Sequence, residues 1–197
     1  MIDAALTAMA ETRWRSATVA GLCSAAQLNK RYFYESFSSL DDLATGTIDD
    51  VSAEVGQAAV AAYLGALDCP LEQQARLSVD AVISVLGTDL RKARVLLGGA
   101  AGTAAADMHR AEAMNSLTAI LIEHARRIHD VGLETDSLAR TAPAFVIGGT
   151  AQALLSWAEG TLPVTRDQLA DDLTMLWLTL GASAAGIARS RIDNEHS

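Results

Sequence analysis

Lys30, Arg31, Tyr32 and Tyr34 fall within one short stretch, KRYFYESF. Cations so grouped neutralise phosphate, and Arg or Lys donates to guanine O6 and N7 in a DNA major groove. Tyrosine hydroxyls add neutral donors to phosphate. No comparable grouping speaks for catalysis. The sequence has no glycine-rich phosphate loop after a strand, no Gly-x-Ser-x-Gly and no His-Glu-x-x-His, so no enzymatic activity is expected. Cys23 and Cys69 have neither the number nor the spacing of a zinc site or a disulfide framework, and no metal or cofactor is expected. His124 lies on an apolar stripe, where a histidine is either a hydrogen-bonded core residue or a ligand-sensing group. His109 and His129 read as solvated.

The elements that must hold the cationic stretch are legible around it. Thr18 suits an N-cap, and Val19, Leu22, Cys23 and Ala26 follow at the 3, 4 and 7 residue steps of one helical face. Gln27-Leu28-Asn29 breaks that pattern, and Asn29 suits the N-cap of a second helix starting at Lys30. Phe33 and Phe37, four apart, share a face that the core would take, which leaves Lys30, Arg31, Tyr32 and Tyr34 pointing elsewhere. Recognition helices read bases mainly with their N-terminal residues, where Lys30 and Arg31 sit. The same pattern also fits ordinary core aromatics beside a solvated helix start.

The segments IDAALTAMAE (2–11), SATVAGLCSAA (16–26) and KRYFYESFSSLDDL (30–43) resemble the N-terminal domain of the TetR (tetracycline-repressor) family of transcription regulators. The match is clear over the first quarter of the chain and extends beyond it only as general architecture. It implies an all-α protein of about nine helices. Residues 1–45 would form a three-helix helix-turn-helix domain, and residues 46–197 an effector-binding and dimerisation domain. It further implies a homodimer on a palindromic double-stranded DNA operator, acting as a repressor and released by a small, hydrophobic effector. Thr18, Lys30, Arg31, Tyr32 and Tyr34 are then the expected DNA-facing residues.

The chain departs from the family pattern in places. The turn usually has a glycine where Gln27 stands, so Gln27 must adopt the turn conformation with a Cβ present. Arg31 and Tyr32 replace smaller residues, Glu35 stands where an aromatic is frequent, and Leu40 replaces a cation near the start of the following helix. A basic stretch before the first helix is missing, which leaves two expectations: weaker DNA binding, or a true start upstream of Met1.

Charge sharpens that point. The whole chain carries a formal −9, and residues 1–50 hold four cations (Arg13, Arg15, Lys30, Arg31) against seven anions (Asp3, Glu11, Glu35, Asp41, Asp42, Asp49, Asp50), a balance of −3. A domain that approaches a polyanion must then cluster its cations on one surface. The alternative is a small-molecule-binding or protein-interaction module on the same scaffold, with weak or lost DNA binding.

A chain of 197 residues buries roughly 70% of its unfolded surface, enough for a self-sufficient core. Half the residues are apolar and only three are proline, which argues against extended disorder. No uncharged run of about 20 apolar residues appears, and the reading is a soluble cytoplasmic protein with no membrane partner. A long helix is expected from Ser38 or Ser39 to about Leu67. Five more should follow: from Pro70 to Gly87, Leu90 to Leu97, Met108 to Asp130, Thr135 to Glu159 and Thr165 to Arg191.

The last two of these are apolar on more than one face, which calls for one partner inside the chain and one outside. Leu154, Leu173, Leu176, Trp177 and Leu180 are the expected dimer contacts, through the four-helix bundle the family resemblance implies. Met108, Met114, His124, Phe145 and Trp157 are the candidates for an effector pocket, since a pocket needs apolar walls with few polar groups. Each of them serves equally as plain core.

Overall fold

In the computed structural model, described for residues 1–98, 104–129 and 136–195 (side chains of 117, 118, 120–129, 139 and 195 excepted), the chain is all-helical, with no strand among those residues. Among the described residues nine α-helices occur: α1 (Ile2–Ala10), α2 (Val19–Ala25), α3 (Lys30–Ser36), α4 (Leu40–Gly65), α5 (Leu71–Thr88), α6 (Leu90–Leu97), α7 (Ala104–His129), α8 (Leu138–Ala158) and α9 (Arg166–Glu195). A 3₁₀ turn at Trp14–Ser16 separates α1 from α2. The expected fold class and helix number both hold.

Local chemistry sets the helix ends. Thr18, Asn29, Ser39 and Asp89 each accept backbone amides at the starts of α2, α3, α4 and α6, satisfying donors that have no partner within the helix. Three C-termini close in the same way. After α1, Arg13 N donates to Ala8 O and Thr12 N to Met9 O. After α2, Leu28 N donates to Cys23 O and Gln27 N to Ser24 O. After α8, Thr161 N donates to Ser156 O and Gly160 N to Trp157 O. This is the Schellman arrangement, whose pivotal residue takes a left-handed conformation. The pivots have φ of 57° at Thr12, 55° at Gln27 and 74° at Gly160. Only the third is glycine.

The N-terminal head closes over Ala5, Leu6, Met9, Trp14, Leu22, Cys23 and Phe33, which are buried together with Leu43 and Ala44 from the first turns of α4. Helix α4 then buries Thr47, Ile48, Val51 and Val55 at steps of 3 and 4, and its Thr47 hydroxyl donates to Leu43 O at 2.7 Å, so the buried hydroxyl costs little. It runs unbroken through residue 45, and the buried core continues from Ala5 to Leu173. Helix α4 packs on α5 and α7, α5 on α9, and α8 on α9.

Short helix α6 touches α1, α4, α5 and α8 and ties the head to the rest. Its Arg91 reaches Asp3 (2.8 Å) and Thr7 Oγ1 (2.6 Å) on α1 and is also held by Asp89 (2.7 Å). The hydrogen bonds from Arg91 hold the Asp89 carboxyl below the usual carboxylate range, and Asp89 in turn raises the guanidinium pKa. Lys92, next along, pairs with Glu54 on α4 at 2.6 Å.

Candidate nucleic-acid interface

Helix α3 has only seven residues, too short to persist in water by itself, so its surroundings must hold it. Asn29 Oδ1 accepts from Arg31 N at 2.9 Å and from Tyr32 N at 3.3 Å, fixing the first turn. Phe33 is fully buried and meets Phe37 with ring centroids 5.9 Å apart and Tyr34 edge-on at 5.1 Å. Burial of Phe33 is the main tether, since truncating such a ring costs about 3–5 kcal/mol. The preceding turn fixes the angle at which α3 leaves α2. There Gln27 takes the left-handed conformation that its sequence position demands, with its Cβ in place.

The opposite side of α3 is open. Lys30 and Arg31 are exposed, and Tyr32 and Tyr34 are 54% and 63% exposed. Thr18, also exposed, uses its Oγ1 to accept from Gly21 N at 3.1 Å at the start of α2. Arg31 Nε lies 2.7 Å from Glu35 Oε1, one turn on, and Arg13 pairs with Glu11. Lys30 and Arg15 have no ion-pair partner among the described residues. The acidic surplus of the first fifty residues is largely occupied. Asp3 binds Arg91, Asp49 binds His109, and Asp42 accepts from Ser38 N and Oγ, which holds its carboxyl below the usual range. Asp41 and Asp42 stand in the first turn of α4, where the helix dipole favours negative charge.

The residues expected to form an effector pocket lie on α7 and α8. Met108 and Phe145 are 58% and 67% exposed, on α7 and α8. Met114 is partly buried, and His124 lies outside the described side chains. Trp157 is partly buried, donates to Val164 O at 3.1 Å, and lies against Gly87, where an added Cβ would sit 3.0 Å from its ring. A cleft of about 330 Å³ opens instead against α4 and α7, lined by none of those five. Asp49 and Ser52 on α4, Leu96 on α6, and His109 and Glu112 on α7 belong to its walls. These polar residues recur three apart along both helices (49 and 52, 109 and 112), a pattern easily passed over as solvated surface.

The expected dimer contacts divide in two. Leu154 and Leu173 are 3% and 4% exposed and belong to the chain's own core. Leu176 is 53% exposed and Leu180 partly buried, while Trp177 is partly buried with its Nε1 donating to Thr150 Oγ1 at 2.7 Å. Phe145, Met175 and Ile187 are exposed on the same two helices. A Cβ built at Gly148, Gly149, Gly181 or Gly186 would meet nothing within 4 Å. Among the described residues no helix is long and apolar enough to cross a membrane.

No protein-family model and no curated protein matches the sequence. Solved structures do. The chain is similar to the fatty acid degradation regulator FadR from Bacillus halodurans (TM-score 0.69, 18% identity, 90% of this chain and 95% of that one covered). It is similar to a putative TetR-family transcriptional regulator from Syntrophomonas wolfei str. Goettingen (0.74, 12%, 92% of each). A TetR-like transcriptional regulator from Rhodococcus sp. RHA1 also matches (0.60, 18%, 90% and 91%). At these identities the likeness shows a shared fold, the all-helical TetR-like architecture, over 90–92% of this chain.

Proposed function

We propose that this chain is a DNA-binding transcriptional regulator. It acts as a homodimer on a palindromic operator, and a small-molecule effector releases it. Residues 1–45 serve as the DNA-binding unit and residues 46–197 as the effector and dimer unit. The observation that carries the reading is the division of α3 into a buried Phe33 side and an open side bearing Lys30, Arg31, Tyr32 and Tyr34. The regulators whose fold it shares point the same way. Two copies of α3, one helical repeat apart, would enter successive major grooves. The exposed Phe145, Met175, Leu176 and Ile187, with bare glycines on the same two helices, suit close helix–helix contact with a second copy.

The acidic head favours a second reading, a ligand-binding module with weak DNA affinity. Magnitudes support the first. The Arg31–Glu35 pair has side chains 83% and 49% exposed, and exposed pairs are worth about 0–1 kcal/mol. A phosphate or guanine edge displaces Glu35 at little cost. The test is Arg31→Ala, titrated at several salt concentrations against a duplex selected from random sequence. Each lost phosphate contact removes about 0.9 from the slope of log affinity against log salt, so two copies should lower it by roughly 1.8. An unchanged slope and affinity would remove α3 from the DNA. A selection that enriches no duplex would favour the second reading.

A further inference from the structure

The side of α3 farthest from its core is formed by two residues of opposite charge. Arg31 and Glu35 each stand two positions from the buried Phe33, about 200° round the helix, so both project away from the head. Tyr32 and Tyr34 flank them, the latter with its ring edge-on to Phe33. Whatever part of this helix goes deepest into a groove therefore includes Glu35, the one carboxylate between Lys30 and Ser36. In the free chain Arg31 Nε meets Glu35 Oε1 at 2.7 Å.

That pairing does not serve the helix itself. An i, i+4 ion pair stabilises best with its acid toward the N-terminus, where the helix dipole favours negative charge. Here the order is reversed: Arg31 lies in the first turn and Glu35 in the last, with no acid in the first turn and no base in the last. Nor does the acid help an approach to phosphate, which it repels. A carboxylate accepts hydrogen bonds and cannot donate them. Along a major groove guanine offers O6 and N7, thymine offers O4, and adenine sets N7 beside its N6 amino group. Cytosine alone offers a donor, N4–H2, with no acceptor beside it.

We propose that Glu35 is a specificity-determining residue that selects cytosine in each operator half-site. When guanine or phosphate takes the Arg31 guanidinium, the released carboxylate accepts from cytosine N4, and at every other base it meets an acceptor. Four residues of helix rise by about 6 Å and one base pair by about 3.4 Å, so the cytosine lies within about two base pairs of the group that Arg31 takes. The acid that lowers the affinity of α3 for DNA in general thereby raises its discrimination among sequences. The inference rests on the regulator reading above.

The test is selection of duplexes from random sequence by the full parent chain, by Glu35→Ala and by Glu35→Gln, each first shown to keep its helical circular dichroism. The parent should enrich a cytosine in each half-site. Glu35→Ala should lose that preference and bind unrelated duplex more tightly than the parent does. Glu35→Gln should exchange the cytosine for adenine, whose N6 and N7 a carboxamide pairs with bidentately. Replacing the C·G pair of one half-site by T·A should weaken binding by the parent about tenfold, and by Glu35→Ala less than about twofold. A purely helix-stabilising Glu35 would instead lower the melting temperature in both variants and leave the selected sequence unchanged. That unchanged sequence overturns the proposal while the regulator reading stands. A parent chain that enriches no duplex overturns both.

Discussion

Replacing Gln27 with glycine should make this protein more stable, although it deletes a side chain. The residue pivots the Schellman end of α2 at φ 55°, is exposed, and uses its backbone amide to bond Ser24 O at 3.1 Å. A left-handed conformation costs an L-residue roughly 1–2 kcal/mol through the crowding of its Cβ. Glycine escapes that cost but gains freedom in the unfolded chain, giving back about 0.4–1 kcal/mol. The exposed Gln side chain loses little by removal, so Gln27→Gly should stabilise by about 0.5–1 kcal/mol. At 2–4 °C per kcal/mol for a chain of this size, the melting temperature should rise by about 1–4 °C. Urea melts followed by helical circular dichroism give the difference from the midpoint, provided the slope is unchanged. Gln27→Ala keeps the Cβ and should gain nothing. Gly160 occupies the same role after α8 at φ 74°, so Gly160→Ala should lose about what Gln27→Gly gains. If Gln27→Gly is neutral or destabilising while Gly160→Ala behaves as stated, the Gln27 side chain makes a stabilising contact, and Cβ crowding does not govern that turn.

Arg91→Met should cost about 1–2 kcal/mol, a charged hydrogen-bond set discounted for an Arg side chain 34% exposed and an Asp3 side chain 80% exposed. It should also alter the acid limb. Asp89 has a depressed pKa in the folded chain, so its contribution is present above the ordinary carboxylate value of about 3.9 and is lost as pH falls through the depressed one. Urea melts below pH 5 should therefore show a shallower loss of stability in Arg91→Met than in the parent, and parallel curves would refute the assignment. Leu176→Glu should yield a folded monomer by sedimentation at micromolar concentration, while Leu173→Ala, a buried neighbour, should lose about 2–5 kcal/mol of fold stability. An unchanged dimer in Leu176→Glu would move the interface off this face.

The head of the molecule was readable from sequence because its signals act over one turn. Thr18, Asn29 and Ser39 cap with their own side chains, and Phe33 takes the inside because the other face of α3 is cationic and phenolic. Polarity there separates core from surface on a single helix. In α8 and α9 it does not. Leu173 and Leu176 are the same residue type three positions apart, yet one is 4% and the other 53% exposed. A helix with apolar residues all round satisfies the 3.6 period in either orientation, and only the packing of α5 and α8 against α9 selects the inner side. The same ambiguity holds for Phe145 and Met108, apolar residues that are 67% and 58% exposed.

Long-range polar contacts were invisible for a different reason. Arg91 lies 88 positions from Asp3, and His109 lies 60 from Asp49, so no local pattern announces either pair. Both nonetheless sit on contacts between layers: Arg91 joins α6 to the head, and His109 joins α7 to α4. Polar groups suit such joints. A partly exposed ion pair exchanges one partner for another, or for water, at a cost near 1 kcal/mol, whereas parting buried leucines costs several. The apolar core can therefore hold each layer intact while the joints between layers exchange partners. In this chain those joints include the contact made by His109, which the sequence reading assigns to solvent.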